Sequence, residues 1–182
     1  GGCCANSKPK LTKAERRIPE FMGSGLQTAM PLQDATICVM LTPDAVRADL
    51  RSYHFDEHEV ISLIETHELA PAFNIGLGGR RELRVLPSAI EFYRNTGGSR
   101  RRRLLQHEVL AEIYRGISSA QPVLDGELIR RVLCCSGDHL TRLVDEGYLA
   151  QARGTQYRKG PDGSPKIPRA SFEEFLFASA KI

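Results

Sequence analysis

Two stretches decide how this chain is read: FDEHEVISLIETHEL, Phe55–Leu69, and GDHLTRLVDEGYL, Gly137–Leu149. In the first, Val60, Leu63, Ile64 and Leu69 lie on one stripe of a helix. In the second, Leu140, Leu143, Val144 and Leu149 lie on the same stripe, at a constant offset of 80. Asp56 with Glu59 three residues on has the form of a capping box, so the first helix is expected to start there. The apolar frame is shared and the surface is not. The first stretch carries Asp56, Glu57, Glu59, Glu65 and Glu68 with no Lys or Arg, whereas the second carries Arg142 and fewer acids.

Working outward, the frame extends in both directions. Upstream, LTPDAVRADL offers Thr42 as a helix N-cap, Pro43 at the first helical position and Asp44 in the first turn. Its Leu41, Val46 and Leu50 recur as Leu124, Ile129 and Leu133 at offset 83. Downstream, Phe73–Ile75 and Glu82–Leu86 are strand-like, and Gly76, Gly78 and Gly79 between them suit a tight hairpin. Val85, Ile90 and Tyr93 recur as Ile167, Phe172 and Phe175 at offset 82. Ser88 with Glu91, and Ser171 with Glu174, are capping-box signals for a closing helix in each copy. The offset shifts because RSYHFDE is replaced by the shorter CCSG, and because the second hairpin, ARGTQYRKGPDGSPK, is longer. Turns and hairpin tips are where insertions are tolerated. The chain therefore reads as two tandem copies of helix, helix, hairpin and closing helix, an α+β class dominated by helix.

This reading divides the chain into a mobile N-terminal arm (1–35, with a helical turn near Lys13–Arg17), a first domain (36–95), an Arg-rich hinge with a connecting helix (96–122) and a second domain (123–182). The connecting helix is expected over 104–117 from Leu105, Val109 and Ile113, with Leu110 and Ile117 widening its apolar face. That face suits packing on the second copy, packing between the copies, or a dimer.

Each copy resembles the excisionase-type, MerR-like winged helix-turn-helix DNA-binding domain. The likeness rests on LTPDAVRADL and ELAPAFNIGLGGRRELRVLPSAIEFYR in the first copy, and on LDGELIRRVL, SGDHLTRLVDEGYLAQA and KIPRASFEEFL in the second, covering about residues 41–94 and 123–177. It implies two tandem winged helix-turn-helix domains joined by a basic linker and a helix. The second helix of each would enter the major groove, and the hairpin would act as a wing on backbone or minor groove. Excisionases, transcription regulators, phage terminase small subunits and plasmid factors all use such domains. Two linked modules raise each other's effective concentration, so a bipartite double-stranded DNA site is the expected target.

Candidate contacts follow from residue chemistry. In the first hairpin, Arg80, Arg81 and Arg84 flank a Gly turn that brings backbone close to phosphate. In the second, Arg153, Arg158, Lys159 and Lys166 are interleaved with Tyr157. Arg100, Arg101, Arg102 and Arg103 form the strongest run of positive charge, suited to backbone or a narrow minor groove. Arg130 and Arg131 are natural phosphate contacts. The second helix of copy two presents Ser136, His139, Thr141 and Arg142, and Arg142 could fork onto a guanine edge. The acids of copy one oppose docking on a polyanion. Asp56, Glu57, Glu59 and Glu65 are therefore candidates for contact with a protein: a recombinase, a polymerase or a second copy of the chain. Two readings stand. In one, both copies bind DNA; in the other, an adaptor uses copy one on a protein and only copy two and the linker on DNA.

Composition agrees with a globular chain. The 182 residues are 41% hydrophobic and 26% charged, with net charge +3. Residues 41–95 hold nine acidic against six basic residues, whereas residues 96–122 hold five basic against two acidic. No apolar run reaches membrane-spanning length, and the opening GGCCANSKPK lacks the order of a secretory signal. Five cysteines without a C-x-x-C pair are a poor disulfide framework, so a reducing cytoplasm is the expected compartment, nucleoid-associated in a prokaryote or phage. The spacings of His54 and His58, and of Cys134, Cys135 and His139, match no common zinc pattern. Neither a phosphate-binding P-loop nor a nucleophile elbow occurs, so no catalysis, metal or cofactor is expected.

Overall fold

The computed structural model describes residues 37–98, 105–153 and 163–181. The expected arm, Arg100–Arg103, and the second hairpin's tip with Tyr157, Arg158 and Lys159 lie outside the described residues.

Repeat 1 comprises α1 (Pro43–Asp49), α2 (Glu57–Glu65), β1 (Ala72–Asn74), β2 (Leu83–Val85) and α3 (Pro87–Thr96). Next comes α4 (Gln106–Ile113). Repeat 2 comprises β3 (Val123–Asp125), α5 (Gly126–Leu133), α6 (Gly137–Asp145), β4 (Lys166–Pro168), α7 (Arg169–Ser179) and β5 (Ala180–Lys181). Helices dominate, with antiparallel sheets ordered β2–β1–β5 and β3–β4. No described helix is long and apolar enough to cross a membrane.

The recurrence is carried by the backbone. Helix α2 spans 57–65 and α6 spans 137–145, the same length at offset 80. Each follows a left-handed residue, His54 (φ 58°) or Cys134 (φ 49°). Each ends in a second one, His67 (φ 62°) or Gly147 (φ 82°). Leu41 bridges Val85 in repeat 1, as Leu124 pairs with Ile167 in repeat 2. N-caps recur as well. Thr42 accepts from the Ala45 N–H at 3.3 Å, and the Asp56 carboxylate accepts from the Glu59 N–H at 2.8 Å. The Glu59 carboxylate completes that capping box by accepting from the Asp56 N–H at 2.7 Å. In repeat 2, Asp125 and Ser136 accept from the N–H groups of Glu127 and His139. Such caps each stabilise a helix by about 1 kcal/mol.

The closing helices begin differently from the capping-box expectation. Helix α3 starts at Pro87, and Ser88 instead donates its hydroxyl to Glu112 of α4 at 2.5 Å. Helix α7 starts at Arg169, and Ser171 accepts from the Ala150 N–H at 2.8 Å. Pro87 provides a preset φ at the first helical position, so the serine is not needed as a cap there.

Hairpin 1 has two covered faces. Ala72, Leu83 and Val85 pack with Val46, Leu50, Val60 and Ile64 in a cluster private to repeat 1. Phe73, Ile75 and Leu86 point the other way, into a cluster that contains Leu124, Ile129, Leu133, Leu140 and Phe172 of repeat 2. Val109 and Ile113 of α4 join that shared cluster. Residues Asp34–Ile182 accordingly form one compact unit, and the expected connecting helix is drawn into it rather than standing apart. Strand β5, at the end of repeat 2, pairs with β1 of repeat 1 and ties the copies further.

Candidate nucleic-acid interface

The tip of hairpin 1 is shaped by glycine. A Cβ on Gly76 would stand 2.0 Å from the Arg80 carbonyl oxygen, and Gly78 and Gly79 both adopt positive φ. The turn closes at Ile75 and Glu82, where the Ile75 N–H donates to the Glu82 carbonyl at 2.9 Å. Arg80 is exposed there, with no ion pair to any described residue. Arg81 instead meets Glu65 of α2 at 2.5 Å.

Arg84 corrects the sequence reading. It is buried, with 6% of its surface exposed. Its Nε donates to the Leu133 carbonyl at 2.8 Å, and its Nη2 donates to the Cys134 carbonyl at 2.9 Å and to Glu82 at 2.7 Å. The guanidinium fork therefore caps the C-terminal carbonyls of α5, where a helix leaves acceptors unpaired and its dipole is negative. The physical reason is strand alternation. Leu83 and Val85 face the private core, so Arg84 faces the side that repeat 2 covers.

His139 is corrected in the same way. It is half-buried against hairpin 1, its Nε2–H donating to the Ile75 carbonyl at 2.9 Å and its Nδ1 lying 3.2 Å from Glu82. Lys166 is likewise occupied, paired with the Asp125 carboxylate that also accepts from Ser164 at 2.7 Å. Burial alone would raise the Asp125 carboxyl; the hydrogen bonds from Lys166, Ser164 and the Glu127 N–H, with the Lys166 charge, outweigh it and hold it below the usual range.

Other candidates are at the surface. Arg131 and Arg153 are exposed and make no ion pair with the described residues. Arg130 pairs with Glu127 at 2.5 Å, and Arg142 pairs with Glu146 at 3.1 Å, both one turn away on their own helices. Exposed ion pairs of this kind are worth about 1 kcal/mol or less. Ser136 is exposed while serving as N-cap of α6. Thr141 lines an open groove of about 440 Å³ with Glu127, Arg130, Ser164 and Pro165. On α2, Glu57 is exposed, Asp56 and Glu59 are engaged in the capping box, and Glu65 is engaged by Arg81.

Glu82 and Asp125 matter here and were not singled out by sequence. Glu82 accepts from Arg84 and faces His139, and Asp125 holds Lys166. The large apolar residues Phe73, Ile75 and Leu77 on alternate positions were the available signal that hairpin 1 is covered on both sides. Compared with protein-family models, with curated proteins and with solved structures, the chain matches none.

Proposed function

We propose that the chain is a non-catalytic double-stranded DNA-binding protein whose two repeats are winged helix-turn-helix units. The observation that supports this most is the twofold recurrence of one backbone. In each copy a helix, a left-handed turn and a capped second helix follow in the same order, and a strand then leads into a closing helix. In repeat 2 the second helix exposes Thr141 and Arg142, with Arg131 and Arg153 exposed nearby in sequence. Threonine and arginine suit base edges, and unpaired arginines suit phosphate. The test is a duplex titration across salt concentrations, comparing the parent with Arg100–Arg103→Ala and with Arg80/Arg81→Ala. Each lost phosphate contact should flatten the log–log salt slope by about 0.9. A protein that binds no duplex at low salt overturns the reading.

A second reading is favoured by one contact. Because Glu65 neutralises Arg81, repeat 1 presents an acidic helix beside a hairpin whose only uncommitted arginine among the described residues is Arg80. Repeat 1 would then meet a protein while repeat 2 meets DNA. Glu57→Ala distinguishes the two. Equal or tighter DNA affinity fits a protein-facing α2, whereas selective loss at one base pair shows a carboxylate reading cytosine N4.

A further inference from the structure

Hairpin 1 stands between the two second helices. On one side Arg81 meets Glu65 of α2 at 2.5 Å. On the other, the two residues that close its turn, Ile75 and Glu82, both meet His139 in the first turn of α6, at 2.9 and 3.2 Å. His139 marks the edge of the exposed face of α6, because Leu140 and Leu143 point into the core while Asp138 and Arg142 are exposed. Arg142 lies three residues on from His139, one turn along the same side of the helix, and is exposed. At the opposite edge, Thr141 shares a groove with Gly163, Ser164 and Pro165, just before β4. Helix α6 is thus flanked on one side by a hairpin borrowed from repeat 1 and on the other by the segment that leads into β4.

We infer that the first turns of α6 and the tip of hairpin 1 form one composite surface for duplex DNA. Helix α6 enters the groove, Arg80 grips phosphate flanking it, and α2 stays outside. The inference rests on the DNA-binding reading above and replaces a pair of separated half-sites with one contiguous site. Three observations carry it. The hairpin's contacts to α6 are at the base of its turn, so its tip is left clear. Arg84 anchors the same hairpin to the end of α5, so α5 and α6 are both held on it and its reach relative to α6 is set by the fold. On its other flank Arg81 pairs with Glu65 of α2, whose surface carries Glu57, Glu59 and Glu65 and no Lys or Arg. Arg84 and His139 are positioning residues in this scheme, and Arg80 and Arg142 touch the DNA.

The test is contact mapping on a duplex selected from a randomised pool. Phosphate-ethylation interference and base-substitution scans are run on the parent, Arg80→Ala and Arg142→Ala. Both residues are exposed, and circular dichroism checks that each variant is folded. The expected result is that phosphates lost with Arg80→Ala lie within about five base pairs of the base pair lost with Arg142→Ala, half a helical turn. Affinity should fall about five- to tenfold for Arg80→Ala, uniformly across sequences, with a salt slope lower by about one. Separation by a full turn or more, about ten base pairs, overturns the composite surface and leaves DNA binding standing. Base-specific losses on changing Ser62 or His58 of α2 do the same. If no duplex is retained from the pool at low salt, the DNA reading fails and takes the composite surface with it.

Discussion

Repeat 1 and repeat 2 place a cation at the same point of the same frame and use it in opposite ways. Arg84 precedes the bridged Val85, and Lys166 precedes the bridged Ile167. Lys166 stays at home, on the Asp125 that caps α5. Arg84 finds no carboxylate at the corresponding cap, which is the neutral Thr42, and its ion pair is with Glu82 two residues before it. It crosses instead into repeat 2 and takes two carbonyls at the end of α5. The side chains match the tasks: a guanidinium fork serves two acceptors at once, whereas an ammonium serves as a point charge. The difference teaches that the copies are not interchangeable. Repeat 1 holds, and repeat 2 is held and presents its second helix.

The largest expected effect breaks that asymmetry directly. Arg84→Met leaves two helix-end carbonyls and the Glu82 carboxylate without their buried partner. A loss of about 2–4 kcal/mol in urea unfolding is expected. Lys166→Met, at the matching position, should cost only about 1 kcal/mol, since its ion pair is partly solvated. Equal losses for the two variants would show that the cross-repeat clasp contributes no more than the local pair.

Acid should separate the copies next. The Asp125 carboxyl is held below its ordinary value in the folded chain. A depressed carboxylate contributes stability that is fully present above the unfolded pKa, about 3.9, and is lost as pH falls through the lower folded value. Nothing should therefore change from this group between pH 7 and 5, and the loss should set in below about pH 4. Thr42 does not ionise, so the α1 cap lacks this sensitivity. Hydrogen exchange near pH 3 should release amides of α5 before those of α1, and Asp125→Asn should narrow that difference while starting from a lower stability. Simultaneous release of both helices at pH 3 would tell against the Asp125–Lys166 pair as the cause.

Much of this architecture was legible in sequence because periodicity and caps are local. Thr42, the Asp56–Glu59 box and the two matched stripes of α2 and α6 appear where the pattern placed them. What sequence could not supply was the neighbour of each exposed face. Arg84, His139 and Lys166 have the chemistry of DNA contacts, yet each is occupied by a partner 41 to 64 residues away in the chain: Asp125 for Lys166, Leu133 and Cys134 for Arg84, and Ile75 for His139. The serine caps of α3 and α7 were misread for a related reason: Ser88 and Ser171 satisfy groups outside their own helices. The acidic face of α2 was visible from the start, and the structure adds that hairpin 1 separates it from α6.

The smallest expected effect concerns the turn that leaves each second helix. His67 and Gly147 hold the same left-handed position, and the surrounding bonds agree. Their N–H groups donate to Ile64 and Val144 at 3.2 and 3.1 Å, and Leu69 and Leu149 donate to Leu63 and Leu143 at 3.0 Å. A side chain in that conformation costs about 1–2 kcal/mol, whereas glycine pays mainly in unfolded-chain entropy, about 0.5–1 kcal/mol. The His67 imidazole also buries Nδ1 without a partner among the described residues. His67→Gly should therefore stabilise the chain by up to about 1 kcal/mol, read as a higher melting temperature, and Gly147→His should destabilise it by a similar amount. If His67→Gly lowers the melting temperature, the imidazole contributes packing in repeat 1 that outweighs its backbone strain, and the two turns, alike in hydrogen bonds, differ in what they support.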